Sequence, residues 1–189
     1  MEAVIKTYRE RTKNIKKETR RKIKRRIHKE ITKNEKTQEG ITGFGINYIL
    51  SSTTHFAGVF AQDELSTLEI KTLPVSLIIN IDYSNQSGSH WIGVKISETT
   101  VEVFDSLGFN RTKKLFNPVI ILNFLRKYGN NRQYFASPAL QPDISSLCGF
   151  YSVYFILTSA HISFRDSLSI FSKNLTNNDQ ILMDILKHI

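Results

Sequence analysis

The chain has 189 residues, 40% of them hydrophobic, with one cysteine and a formal net charge of +9 at neutral pH. That length and apolar share suffice for one domain with a buried core, while a single cysteine excludes an internal disulfide and any cysteine-rich zinc or iron–sulfur centre. The charge is uneven: residues 1–39 hold 15 Lys or Arg against 6 Glu and residues 40–189 hold 11 against 11, so a basic arm, 1–39, precedes an electrically neutral domain, 40–189.

No apolar run approaches the roughly 20 residues a membrane span needs, and the basic N-terminus adjoins no hydrophobic segment. The expectation is a soluble protein that neither enters a membrane nor is secreted. Residues 5–36 lack Gly and Pro and are rich in Lys, Arg and Glu, which predicts a long helix. Ile5, Tyr8, Ile15, Ile23, Ile27 and Ile31 give it a thin apolar stripe for docking on the domain or on a partner. The opposite side carries Lys16, Lys17, Arg20, Arg21, Lys22, Lys24, Arg25 and Arg26. Such a run reads as a solvated helix face, as a phosphate-backbone contact or as a nuclear import signal.

Gly40, Gly43 and Gly45 mark the join between arm and domain. A short helix or strand over 46–50 follows, then mixed loop and short helix over 56–65. Strands are expected over 77–82, 90–96 and 100–104, the last two forming a hairpin. One helix is expected over 113–128 with Leu115, Val119, Leu122 and Leu125 on a common side and Gly129 as its stop. A strand over 133–136, a buried helix from Cys148 and an amphipathic helix from about Asn178 complete the chain. The order gives an α+β fold with a central mixed or antiparallel sheet flanked by helices.

Cys148 opens an apolar run after a loop signalled by Pro138, Pro142, Asp143, Ser145 and Ser146. A helix N-terminus supplies unpaired N–H groups and the positive end of the dipole, a setting that favours a nucleophilic thiolate. A lone cysteine is also often a small buried hydrophobe. Thiolate attack on an amide needs a base, a group that orients the base, and donors for the oxyanion. His90 begins one hairpin strand and Asp105 closes the next, and antiparallel pairing brings those ends together. Gln141, seven residues before Cys148, can turn its amide toward the oxyanion, and Trp91 can shield the pair. Singly, each has a plain structural reading: a packed histidine, a turn aspartate, a loop glutamine, a core aromatic.

The segments GSHWIGVKI, VEVFDSLGF and QPDISSLCGFYSVYF, in this order, resemble the adenovirus-type cysteine endopeptidases, the adenains, and more distantly the proteases that cleave SUMO. The resemblance spans residues 40–189. It implies the adenain-type fold with the catalytic cysteine at a buried helix N-terminus, Cys148 as nucleophile followed by Gly149, and His90 as base before Trp91. It also implies Asp105 as the acidic partner and Gln141 as the oxyanion donor. FAGVFAQDEL looks like the adenain segment that helps line the substrate groove, with Gly58 in the small position. Adenovirus enzymes carry Glu where this chain has Asp105, the residue of the SUMO-protease branch; the seven-residue spacing and compact size are adenain-like, as in large-DNA-virus, virophage and mobile-element relatives.

The implied function is maturation of capsid or core precursor proteins inside an assembling virion, in the cytoplasm or nucleus of the host cell. A SUMO or ubiquitin-like-modifier isopeptidase and a non-enzymatic nucleic-acid-binding structural protein are the alternatives. No cofactor or metal is required. Family members can be activated by DNA and by a disulfide-linked peptide, but here such a tether would consume the only thiol, so a covalent peptide cofactor is not expected. Double-stranded DNA held by the basic arm is the expected partner, and an arm that blocks the groove is the other reading of the same segment.

Overall fold

The computed structural model describes residues 17–189, with Lys6 and Glu10 before them. Helix α1 runs Lys17–Thr37 and stops where Gln38 takes a φ of +55°. Ile23, Ile27 and Ile31, four residues apart, share one face and are buried in the main core, against α2 (Gly43–Leu50) and α7 (Asn178–His188). The apolar stripe thus docks on the domain through its described part, while Ile5, Tyr8, Ile15 and Lys16 lie outside the described residues. Gly43 and Gly45 sit within α2, whose start is capped by the Thr42 hydroxyl accepting from the Gly45 N–H at 3.2 Å.

The sheet has five strands in the order β1-β2-β3-β4-β5: Phe56–Ala61, Val75–Asn80, Trp91–Ile96, Thr100–Phe104 and Gln133–Ala136. β1 runs parallel to β2 and β4 parallel to β5, with antiparallel pairs between, so the sheet is mixed. Residues 56–65, expected as mixed loop and short helix, instead form edge strand β1 and a 3-10 turn, Gln62–Ser66. Ala57, Gly58 and Ala61 carry little intrinsic strand signal. Pairing with β2 imposes the conformation, and Gly58, at φ +140°, takes up a bulge in the register.

The single helix expected over 113–128 is two, α3 (Phe109–Phe116) and α4 (Val119–Gly129), separated by Asn117 at φ +42° and Pro118. Proline lacks the N–H that would extend the ladder and pushes the preceding residue out of the helical region. The apolar face divides accordingly: Ile121, Phe124 and Leu125 are buried, whereas Leu115 and Val119 face solvent.

Strand alternation sends Leu77, Ile79, Ile92, Val94, Val101 and Val103 to the α3–α4 side. Ile78 and Phe104 go to the other side, where α5 (Cys148–Ser159) lies fully buried beneath α1, α2 and α7. The short helix α6 (Phe164–Ser169) follows α5 and is capped by Ser163. α5 crosses β3 at Gly93, where an added Cβ would stand 2.7 Å from Phe155 Cδ1. The fold is therefore α+β, a five-stranded mixed sheet flanked by helices. Its packing aims the first turn of α5 at the end of the sheet where β3 begins and β4 ends.

Candidate active site

Cys148 is the first residue of α5, and the Ser145 hydroxyl accepts from the Leu147 N–H at 3.2 Å just before it. Gly149 permits the close seating of this turn: a Cβ there would collide with Ile41 Cγ2 and stand 3.1 Å from Trp91 Cδ1. Trp91, the first residue of β3, also lies against Gly43 at the start of α2. It therefore wedges between two helix N-termini at the mouth of the site. Its carbonyl accepts from the Ser152 hydroxyl at 3.2 Å, which ties α5 to β3.

His90 immediately precedes β3, and its carbonyl accepts from the Ile81 N–H at 3.1 Å. Asp105 immediately follows β4, and the pairing Gly93↔Phe104 sets the two residues at the same sheet end. His90 Nε2 lies 2.8 Å from Asp105 Oδ1, both groups buried. The same oxygen accepts from the Leu107 N–H at 2.9 Å. Ser137 holds the aspartate's backbone from both directions, its Oγ accepting from Asp105 N at 2.8 Å and donating to Asp105 O at 2.7 Å. Asp105 Oδ2 is buried without a hydrogen-bond partner among the described residues, so the carboxylate's strongest attachment outside its own turn is the imidazole.

Cys148 lies close enough to the same imidazole to raise its pKa. With Nε2 occupied by Asp105, Nδ1 is the ring nitrogen left for the thiol. Burial, the largest single influence on His90, pulls its pKa down, but the Asp105 hydrogen bond and carboxylate, with the neighbouring Cys148, outweigh it. The result is a His90 pKa raised to about 9. The shift favours the imidazolium form of His90, which is flanked by a carboxylate and a sulfur.

Gln141 is 2% exposed and is fixed at both ends of its carboxamide. Nε2 donates to the Ser145 carbonyl at 2.6 Å and Oε1 accepts from the Ser106 hydroxyl at 2.6 Å. Because a carbonyl only accepts, Ser145 settles which end is nitrogen, and Ser106 must then be the donor. His90, Trp91, Gln141 and Cys148 line one cleft of about 530 Å³, walled by residues 40–43, 59–61, 83–84 and 86–89. Gly58 does not line it; its bulge lies just before Val59–Ala61, which do. Asp143, also on the wall, is ion-paired with Arg111, which holds its carboxyl below the usual range.

The basic residues of α1 divide by partner. Lys17, Arg21, Lys22, Lys24 and Arg25 are exposed. Arg20 Nε donates to the Ile189 carbonyl at 3.3 Å, and Arg26 donates to the Ser51 hydroxyl at 2.8 Å while lying over the Tyr48 ring. No residue of α1 lines the cleft. Three residues at the site have no role that the sequence alone suggests: Ser106, Ser137 and Asn80, which lines the cleft beside the loop at 83–89. For Ser106 the one signal available is its place directly after Asp105 in VEVFDSLGF; Ser137 and Asn80 become visible only through tertiary pairing.

No family model matches the chain, and no curated protein matches it. Among solved structures, the central domain of the uncharacterized Lpg1148 protein from Legionella pneumophila is similar at a TM-score of 0.42 and 14% identity, over 70% of this chain and 84% of that one.

Proposed function

We propose that the chain is a cysteine endopeptidase of the adenain type. The observation that carries the reading is His90 held between Asp105 on Nε2 and Cys148 at the N-terminus of α5, inside a cleft. In the reaction, His90, oriented by Asp105, withdraws the Cys148 proton or holds it as an ion pair, and the sulfur attacks the scissile carbonyl. The new C–S bond forms as the carbonyl π electrons move to oxygen. Gln141 and the Cys148 N–H donate to that oxyanion, each such donor supplying about 3 kcal/mol of transition-state stabilisation. His90 passes its proton to the leaving amine, and water, deprotonated by His90, then cleaves the thioester.

The substrate class proposed is viral capsid or core precursor protein, cut during particle assembly, and its support is the likeness of the three segments around His90, Asp105 and Cys148. The chain's own Asp105 favours one second reading, an isopeptidase acting on SUMO or another ubiquitin-like modifier. The test incubates the full chain and its Cys148→Ala variant with structural precursor proteins of a large DNA virus and with SUMO and ubiquitin C-terminal reporters. Precursor cleavage by the wild type alone supports the maturation reading. Preference for the modifiers replaces it with the isopeptidase reading, and an active Cys148→Ala protein ends both.

A further inference from the structure

Asp105 and Ser106 are consecutive, yet their side chains serve different partners. Asp105 Oδ1 meets His90 Nε2, whereas the Ser106 hydroxyl donates to Gln141 Oε1 at 2.6 Å. The Ser106 carbonyl adds two more bonds to the same strip of chain, accepting from Leu140 N at 2.8 Å and Gln141 N at 2.9 Å. From the far side, buried Asn178 donates to the Leu140 carbonyl at 2.8 Å. Ser106 is 1% exposed, so no solvent competes for its hydroxyl, and Gln141 Oε1 has no other donor among the described residues.

Resting on the endopeptidase reading, we infer that Ser106 is the positioning residue of the oxyanion hole. It fixes the Gln141 carboxamide so that one N–H holds Ser145 and the second is presented to the oxyanion at Cys148. The physical argument is rotational. A terminal carboxamide turns about a broad, nearly two-fold torsion, and only partners at both ends select one orientation. Ser145 holds the nitrogen end and Ser106 the oxygen end. Without the hydroxyl, a buried acceptor is stranded and the amide is free to rotate or flip in search of another donor. Misplacement of a donor by a fraction of an ångström to one ångström lowers the rate by roughly 10- to 100-fold. The two halves of the machinery, ion pair and oxyanion hole, are thereby set from one corner at the end of β4.

Two probes separate these halves in the full-length protein. Iodoacetamide alkylation of Cys148 needs the imidazole–thiol pair and no oxyanion donor. A peptide aldehyde ending in glycinal adds its carbonyl carbon to the sulfur; a C–S bond forms, the oxygen becomes an alkoxide that takes up the proton, and this hemithioacetal needs the donor. Ser106→Ala is expected to weaken aldehyde binding by roughly 10- to 100-fold and to change the alkylation rate less than about twofold, with Ser106→Thr, which keeps the hydroxyl, near wild type. Equal losses in both assays, or no loss of aldehyde affinity, overturn the role. Ser106→Ala/Gln141→Ala has no Gln141 Oε1 left to strand, and both it and Gln141→Ala lose the donor to the Ser145 carbonyl alike, so the comparison of the two stands even where the single serine variant is unstable. Equal aldehyde affinities in that pair support action through Gln141, and a further loss overturns it. A wild type that takes up neither reagent overturns the endopeptidase reading itself, whereas a reactive wild type with an unaffected Ser106→Ala overturns only this inference.

Discussion

His90 is the residue on which charge at the site is balanced, and its titration gives the sharpest pH prediction. Its pKa is raised from an ordinary value near 6.5 to about 9, against the pull of burial, by Asp105 and Cys148. A raised histidine stabilises the folded chain fully below about 6.5 and loses that contribution as pH climbs through about 9. Proton donation to the leaving amine needs the imidazolium, so cleavage should fall on the same alkaline limb. Asp105→Asn removes the largest of the raising influences: the limb moves to lower pH, and urea unfolding measured at pH 6 and pH 9.5 shows a smaller alkaline loss than wild type. An unmoved limb, followed with a fluorogenic peptide, would assign it to another group. The sequence alone displays His90, Asp105, Gln141 and Cys148 because chemistry restricts which residue types can serve, and strand ends bring the first two together. Ser106 stays hidden there: a serine after an aspartate reads as turn material until the fold brings Gln141 to it.

At the scale of elements, the site depends on how closely α5 lies on β3. Gly93 makes that approach possible, since a Cβ would stand 2.7 Å from Phe155 Cδ1, itself stacked on Phe104 at 5.0 Å between centroids. Phe155 also meets the Phe164 ring edge-on at 5.9 Å and has little room to yield between Phe104 and Phe164, so Gly93→Ala must lift α5. The expected cost is about 1–3 kcal/mol of stability, as for other overpacked cores. Because Cys148 rides on α5 and His90 on the start of β3, the same lift separates sulfur from imidazole, and iodoacetamide alkylation should slow along with the lowered urea midpoint. Unchanged alkylation in a destabilised variant would mean that the N-terminal turn is held independently, by Trp91 and Gly149. The central strands and the helix at Cys148 are legible from sequence because period and turn residues agree there. β1 is not, since its conformation comes from pairing with β2, and the break at Asn117–Pro118 is masked by apolar residues whose spacing runs through it.

For the whole molecule, the sequence suggests a charged arm beside a neutral domain, whereas the packing makes α1 part of the core. Ile23, Ile27 and Ile31 are buried against α2 and α7, and burial of each such side chain contributes about 1.5–3 kcal/mol. Cutting the chain at residue 39 would remove both the positive charge and this apolar seam, so a failure of the truncated form to bind DNA would not distinguish charge from unfolding. The outer face offers the cleaner test. Arg21, Lys22 and Arg25 are exposed and carry no bond to the domain among the described residues, whereas Arg20 and Arg26 are engaged with Ile189, Ser51 and Tyr48. Replacing the three exposed residues by Gln removes charge and leaves the isoleucines in place. If the face binds duplex phosphates, affinity falls and the slope of log K against log salt becomes shallower by about 0.9 for each phosphate no longer neutralised, close to 3 in all. Urea stability should stay within about 0.5 kcal/mol of wild type, as expected for surface substitutions. An unaltered salt slope would leave α1 with the packing role alone, its charge serving as a solvated helix face.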